Sequence, residues 1–384
     1  NTAASLTASW ASVSNASSYT VKVYPGAGGT AVATITSATS PFVISSSNYS
    51  GILGGTSYKV SVTAIGSGSY TNASESTQSS AVTTLANPTI TSMSSASGAV
   101  VGGGTTITLG GTNLSTTSGV TIGSVTATVV SATNTAVVLS IPAATITGNK
   151  NLVLTTSVST VTVSNSYVDC GTSGNFFVFN NEVVGTNYCV GTVVVPDGIT
   201  TIASCGFANA IGGNCGNIKG NNISTVQLPD SIRILRSQAF GGNNMTSINL
   251  PEGLTTIGNS AFYIGGTYSL HIPSTVTSVN TAFYKTNARS ITFASGSQIA
   301  SMTDVFRGMP NIFSIAIPDS VTTIVGVLTF QSNFATITMR GVTTLPANSL
   351  PTTVTCIVTS AGNTAVNGYS YASFTTAPLI VTDI

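Results

Sequence analysis

The arrangement of apolar and polar residues repeats about every 22 residues between positions 193 and 345. Each unit has two apolar residues that flank a single residue, then in most copies a proline, and then a second apolar pair. The first part of the unit stands at 193–196 (VVVP), 226–229 (VQLP), 248–251 (INLP), 270–273 (LHIP) and 315–318 (IAIP). A fixed period of this length predicts a solenoid, in which each coil buries its apolar side chains against neighbouring coils.

Within a coil, the period-2 spacing predicts a short strand that proline ends, because proline lacks an amide donor. Phenylalanines at one place in the unit are expected to stack as an aromatic spine: Phe207, Phe240, Phe262, Phe283, Phe306 and Phe330. Threonines at another place are expected to form a hydroxyl ladder that Arg233 interrupts: Thr200, Thr255, Thr277 and Thr322. The apolar residues 176–184 are expected to cover the open end of the first coil.

Residues 1–86 alternate apolar and polar positions in short runs separated by Gly, Asn and Ser, which predicts an antiparallel β-sandwich. Trp10 lies on an early predicted strand, and residues 19–24 and 58–64 form two central strands. Residues 53–58 (LGGTSY) are similar to the tyrosine corner of such sandwiches. Together these features resemble a fibronectin type III domain, which implies a spacer or a binding module.

Residues 87–168 continue with short apolar runs and glycine-rich turns. The segments 88–93 (PTITSM), 110–114 (GGTNL) and 120–125 (VTIGSV) follow in an order that resembles the IPT/TIG immunoglobulin-like domain of bacterial surface proteins. The resemblance implies a second β-sandwich.

The repeat unit resembles the BspA-like leucine-rich repeat of bacterial surface proteins, because its Pro-x-x-apolar-Thr-x-apolar core is followed by Ala-Phe. The resemblance implies a non-enzymatic, extracellular protein linked to attachment or surface display. Two places depart from the unit: residues 291–313 lack the proline, and residues 212–222 are an insertion in the first coil. These departures are either contact sites or tolerated loop variation.

The sequence therefore predicts an all-β chain of tandem modules. They are a fibronectin type III-like β-sandwich at 1–86, an IPT/TIG-like β-sandwich at 87–168 and a capped BspA-like leucine-rich-repeat solenoid at 169–376. Residues 377–384 (APLIVTDI) resemble the opening of the second sandwich and are expected to begin a further domain.

Charge is sparse along the whole chain. Charged residues make up 5% of the composition, against about 25% in ordinary soluble proteins. The ten basic and nine acidic residues are scattered, which argues against a nucleic-acid partner because such binding needs clustered Lys and Arg. With no run of about 18 apolar residues, no membrane span is predicted. A net charge of +1 would let copies of the chain pack closely, but a lineage bias toward uncharged surfaces explains the composition equally well.

Five cysteines bear on the compartment. Cys170 and Cys189 bracket the predicted cover of the solenoid, and a disulfide between them would contribute about 3 kcal/mol by closing a loop of about 20 residues. Cys205 and Cys215 flank the Gly-rich stretch 208–214 and are a second candidate pair, whereas Cys356 is left as a buried free thiol or one with an external partner. Disulfides imply an extracellular location; the alternative is that all five are reduced and buried.

No group of residues predicts a reaction centre, a cofactor or a metal site. His271 is the only histidine and has no neighbouring acid, so neither a catalytic triad nor a zinc site is expected. Four acidic residues share a turn position, with weak calcium binding as the alternative reading: Asp197, Asp230, Glu252 and Asp319. Possible contact residues are Arg289, Asp304, Arg307, Tyr263, Tyr268 and Tyr284. For the three tyrosines, packing in the core is the alternative.

These features predict a non-enzymatic protein secreted to the bacterial cell surface. The leading hypothesis is a structural subunit of a self-assembling coat, surface layer, sheath or filament, with copies of itself or other surface proteins as partners. The first alternative is an adhesin whose solenoid binds cells, matrix or glycans. The second is a carbohydrate-associated module of a secreted hydrolase.

Overall fold

The computed structural model describes residues 5–95, 105–141, 149–170, 173–208, 215, 222–263, 265–326, 334–347, 349–374 and 376–383. Strands make up nearly all of the regular structure in these ranges, and a four-residue helix, α1 (Thr364–Asn367), lies near the end. The all-β prediction is confirmed.

The first sandwich packs two antiparallel sheets around a core of its own. Its strands are β1 (Leu6–Ala8), β2 (Ala16–Pro25), β3 (Ala33–Ala38), β4 (Phe42–Ile44), β5 (Ser57–Gly66) and β6 (Val82–Thr83). β1 pairs with β4, and the second sheet has the order β3-β2-β5-β6. Val21 and Val23 alternate with polar residues along β2 and pack with Ile44 of β4, as period-2 patterning requires.

The second sandwich is antiparallel and leads directly into the next element. Its strands are β7 (Thr89–Ser95), β8 (Thr105–Thr112), β9 (Thr117–Ile122), β10 (Val125–Ala132), β11 (Ala136–Ile141), β12 (Lys150–Thr156) and β13 (Thr160–Asp169). The strand order is β13-β12-β9-β10-β11-β8-β7. β10 pairs with β9 through its first residues and with β11 through its last, and its register shifts between Val129 and Ser131.

A hairpin of β14 (Ser173–Phe179) and β15 (Glu182–Val194) joins this sandwich to the solenoid. β14 pairs with β13 on one side and with β15 on the other, so one sheet runs without interruption between the two regions. Phe176 lies in the core of the solenoid, while its neighbour Phe177 lies in the core of the sandwich. The predicted cover of the first coil is thus a wall between two cores.

The solenoid is built from two parallel ladders. One ladder has three groups of paired strands in chain order: first β15, β17 (Asn222–Gln227) and β19 (Ser247–Asn249), then β21 (Ser269–Ile272) and β22 (Ser290–Phe293), then β24 (Ser314–Ala316), β26 (Thr336–Thr338) and β27 (Cys356–Ser360). The other contains β16 (Thr201–Ile202), β18 (Ile234–Leu235), β20 (Thr256–Ile257), β23 (Ser301–Thr303) and β25 (Thr323–Val325).

The predicted aromatic spine forms along the solenoid axis. The rings of Phe207, Phe240, Phe262, Phe283 and Phe306 stack in sequence with centroids 5.6, 5.9, 6.1 and 6.2 Å apart. Phe176 closes the first end edge-on, 5.3 Å from Phe207. Phe330 and most of the insertion 212–222 lie outside the described residues.

Where threonines of the predicted hydroxyl ladder make side-chain hydrogen bonds, the hydroxyls donate to backbone carbonyls and not to one another. Thr255 Oγ1 donates to the Arg233 carbonyl at 3.0 Å, and Thr322 Oγ1 donates to the Ala300 carbonyl at 3.4 Å. These two hydroxyls therefore connect their coils to the preceding ones, and Arg233 takes part through its carbonyl.

The last strand, β28 (Leu379–Asp383), belongs to the segment predicted to begin a further domain. It lies parallel to β27 with Leu379 opposite Cys356 and adds one more strand to the first ladder. Beside it, Tyr369, Tyr371 and Phe374 pack against one another and against the last coil of the core.

Candidate functional site

Both predicted cysteine pairs are bonded in the structure. Cys170–Cys189, with Cα atoms 5.7 Å apart, ties the end of β13 to β15 across the hairpin. Cys205–Cys215, with Cα atoms 5.5 Å apart, is the second disulfide and lies in the first coil. Cys356 is a half-buried free thiol at the first position of β27.

Two of the predicted contact tyrosines lie together on the surface of the solenoid. Tyr263 and Tyr284 each follow a phenylalanine of the spine, and their rings stack 5.8 Å apart. Lys285 Nζ lies 5.9 and 5.4 Å from the two ring centroids, and the Arg307 guanidinium lies 5.7 Å from that of Tyr284. We call these four residues the aromatic–basic cluster. Cation–π contacts of this kind hold charged side chains in place without an acidic partner.

Lys285 was not among the predicted contact residues, although its position next to Tyr284 was a usable signal. Within the described residues the ion pairs are Lys22–Glu75 and Arg236–Glu182. Neither Lys285 nor Arg307 is therefore neutralised by a carboxylate in that part of the chain, and the cluster presents net positive charge.

Tyr268 is not a contact residue, which corrects the sequence-based expectation. Only 3% of it is exposed, and its ring meets Phe262 edge-on at 6.3 Å. Burial raises the pKa of its hydroxyl far above the ordinary value. Just before their strands the neighbouring coils bury Met245, Ala288 and Ile312, and Tyr268 occupies the corresponding stretch. Packing in the core, the alternative reading, is the one observed.

Arg289 and Asp304 lie near the cluster in the chain without joining its ring contacts. Arg289 is exposed, and its amide donates to the Tyr268 carbonyl at 2.8 Å. Asp304 has a positive φ of 47°, like Gln238, Ser260 and Thr281 at the equivalent turn of earlier coils. Its amide donates to Val325 of the next coil at 2.9 Å, so its observed role is to shape a turn.

A second charged arrangement, in the first sandwich, was not predicted from the sequence. Glu75 accepts hydrogen bonds from Lys22, Ser61 and Tyr24. The hydrogen bond from Lys22 is the largest cause that lowers the pKa of Glu75 from 4.5 to about 2. The residues come from separate stretches of the chain, so no local motif could have indicated their contact.

The part of the chain that the structure describes has no cluster of three or more His, Cys, Asp or Glu side chains suited to a metal ion. Among the same residues, no helix is long and apolar enough to cross a membrane.

Two family models match the chain. The BspA type leucine-rich repeat region matches in six copies, over residues 186–301 and 214–336. The IPT/TIG domain matches residues 88–178. The chain therefore carries both regions, as the sequence predicted. Both matches lie beyond the first sandwich, whose resemblance to fibronectin type III stays a prediction.

Two solved structures match part of the chain. The pneumococcal vaccine antigen PcpA is 12% identical, with 57% of this chain and 99% of that chain covered and a TM-score of 0.28. A leucine-rich repeat protein from Bacteroides ovatus is 15% identical, with 56% and 67% covered and a TM-score of 0.26. No curated protein matches the chain.

Proposed function

We propose that this chain, in which an IPT/TIG domain and a BspA-type leucine-rich repeat region follow a further sandwich, is a structural protein of the bacterial cell surface. It acts without catalysis, as a subunit of a self-assembling coat, sheath or filament. The observation that carries the proposal is the outer face of the first ladder.

From β17 to β26, the outward positions of this ladder carry no Asp, Glu, Lys or Arg. From β17 to β26 they are Thr225, Gln227, Ser247, Asn249, Ser269, His271, Ser290, Thr292, Ser314, Ala316, Thr336 and Thr338. Between them, apolar residues such as Ile248 and Leu270 point into the core. The result is an uncharged surface of hydroxyl and amide groups, which we call the ladder face.

Such a face supports association between copies of the chain. Identical copies meet there without like-charge repulsion, at any ionic strength. The sheet that continues from the second sandwich into the solenoid gives each copy a fixed shape, as a regular assembly requires. Two disulfides support secretion, since such bonds persist in oxidising compartments.

Assembly is tested with the purified chain by negative-stain electron microscopy and light scattering at low and high salt. We expect ordered arrays or filaments whose formation is insensitive to salt. The variant Asn249→Lys/Thr292→Lys places charges on the ladder face and should abolish assembly. Its control, Thr277→Lys/Ser301→Lys, adds the same charges at exposed positions outside that face. A soluble monomer at high concentration would remove the proposal.

An adhesin is the second candidate, and the aromatic–basic cluster supports it. Its cations are held by rings and are not neutralised by nearby carboxylates, so an acidic partner on a cell or matrix could bind there. The test is saturable binding of the whole chain to cells or matrix proteins, lost in Lys285→Ala/Arg307→Ala. Binding that is unchanged in this variant would exclude the cluster as the adhesive site.

A further inference from the structure

A crevice of about 510 Å³ opens where the second sandwich meets the solenoid. One wall comes from β13, with Val161 and Asn165, and the opposite wall is the first turn of the solenoid, with Asp197. The turn of the β14–β15 hairpin, Asn180 and Asn181, lies between these walls. We call this feature the junction crevice. It lies away from the ladder face and from the aromatic–basic cluster in the chain.

Three asparagines stand in the crevice at positions of positive φ. Asn180 and Asn181 have φ of 47° and 60° and form the two-residue turn between Phe179 and Glu182, the geometry of a type I′ hairpin. Asn165, with φ of 47°, lies where the register between β12 and β13 shifts. Glycine adopts a positive φ as readily as asparagine does. The side-chain amides are therefore not needed to form the turns.

The side-chain amides of these asparagines make no hydrogen bond to the described residues. Among the described residues, the hydrogen bonds of Asn165 and Asn181 are made by backbone atoms, such as the Asn165 amide that donates to Asn151 Oδ1 at 2.9 Å. The side-chain amides of Asn165, Asn180 and Asn181 remain available to a ligand, as does the exposed carboxylate of Asp197.

Part of the crevice lining is apolar. Val161, Val163 and Phe179 are partly buried against the core of the second sandwich, and Ile199 belongs to the core of the solenoid. An apolar lining with a few polar groups, at the boundary between two domains, is the usual form of a small-molecule site. The volume is also within the ordinary range for such sites.

The lining chemistry selects the class of ligand. A primary amide both donates and accepts hydrogen bonds, so it can bind the hydroxyl groups of a sugar. The apolar lining residues can pack against the C–H face of a sugar ring. None of the lining residues is Lys, Arg or His, so a phosphate or sulfate would find no counter-charge. A single carboxylate is too little for calcium, which takes several oxygen ligands and usually more than one acid.

We propose that the junction crevice binds a neutral oligosaccharide. The proposal is independent of self-assembly: the chain could bind sugar with or without forming arrays. On a cell surface, such a site would attach the chain to a polysaccharide through the rigid part of the molecule and leave the ladder face open.

The test uses the whole chain with maltotriose, cellotriose, mannotriose and triacetylchitotriose as probes, followed by saturation-transfer NMR and calorimetry. We expect saturable binding of at least one probe. The variant Asn165→Gly/Asn181→Gly keeps both backbone turns and removes two amides, and it should weaken binding about tenfold or more. Asp197→Ala, in an exposed turn, should weaken it in the same direction.

Asn15→Gly is the matched control, because Asn15 also has a positive φ, of 64°, but lies in the first sandwich. It should bind the probe like the original chain. The proposal is overturned if no probe binds at millimolar concentration, or if the double glycine variant, folded by circular dichroism, binds unchanged.

Discussion

The two junctions between modules are built in different ways. At the first, strands β1–β6 pair only with one another among the described residues, and Asn87, the first residue of the second module, bonds within that module: Asn113 Nδ2 donates to its carbonyl at 3.0 Å, and Ser159 Oγ to its Oδ1 at 3.3 Å. At the second junction, β14 pairs on both sides and contributes side chains to two cores. Modules that follow one another in the sequence are therefore not always separate unfolding units. The second sandwich and the solenoid should unfold together, and the first sandwich alone.

The sole tryptophan makes this difference measurable. Trp10 lies in the first sandwich, 5.2 Å from the ring of Tyr19. Its fluorescence therefore reports unfolding of the first sandwich, whereas far-ultraviolet circular dichroism is dominated by the longer remainder of the chain.

The largest effect is expected from Phe176→Ala. This fully buried ring starts the spine, and its loss should destabilise the shared unit by about 3–5 kcal/mol. Phe177→Ala, on the opposite face of β14, should lower the same transition by a similar amount, because it packs on Tyr167 at 5.1 Å. Denaturant melts followed by circular dichroism check both. If Phe176→Ala shifted one transition and Phe177→Ala shifted a different one, the hairpin would not couple the two cores.

Removing the disulfide at the second junction should have the next largest effect. Cys170→Ala/Cys189→Ala opens a loop with a sequence separation of 19, which corresponds to about 3 kcal/mol. Cys205→Ala/Cys215→Ala, with a separation of 10, should cost somewhat less. Thermal melts with and without reductant measure both. The Trp10 transition should not move in either variant, and a shift there would contradict the independence of the first sandwich.

Tyr58→Phe is expected to have a smaller effect, and to destabilise the first sandwich instead of the shared unit. The Tyr58 hydroxyl accepts from the Leu53 amide at 2.9 Å and donates to the Gly51 carbonyl at 3.2 Å, as the predicted tyrosine corner requires. Its removal should destabilise the first sandwich by about 1–2 kcal/mol. Here the Trp10 transition should shift while the circular-dichroism transition of the shared unit stays in place.

The smallest effect concerns pH and is again confined to the first sandwich. Because folding lowers the pKa of Glu75 from 4.5 to about 2, its contribution to stability is fully present above pH 4.5. The contribution is lost as pH falls from about 4.5 toward about 2. The Trp10 melting temperature should decline over this window, and Glu75→Gln should flatten the decline. Exposure and salt screening keep the effect modest. An unchanged slope in Glu75→Gln would assign the pH dependence to other groups.

The coils could be predicted because their information is local and repeated. Two apolar residues and a proline define each strand, and the regular return of Phe240, Phe262 and Phe283 determines the stack. The hairpin was harder to interpret. Its run of phenylalanines is apolar at every position, and a strand that is buried on both faces loses the alternation that would assign its sides.

The candidate sites depend on contacts that the sequence pattern does not encode. Tyr263 and Tyr284 could be named as contact residues, since each follows a spine phenylalanine, but Tyr268 was named with them and is buried. The junction crevice combines Asn165, Asn181 and Asp197 from three elements, and each residue by itself is an ordinary turn residue. Only the pairing of β13 with β14 and of β15 with β16 brings them to one place.

The aromatic spine and the ladders advance together, by one ring and one strand per coil. Deleting or duplicating a whole unit, such as residues 262–282, would leave each neighbour facing an equivalent surface. Unequal recombination in the gene could therefore lengthen or shorten the rod in steps of about 4.8 Å without redesign of either end. In evolutionary terms, the length of the solenoid would be an easily adjusted trait.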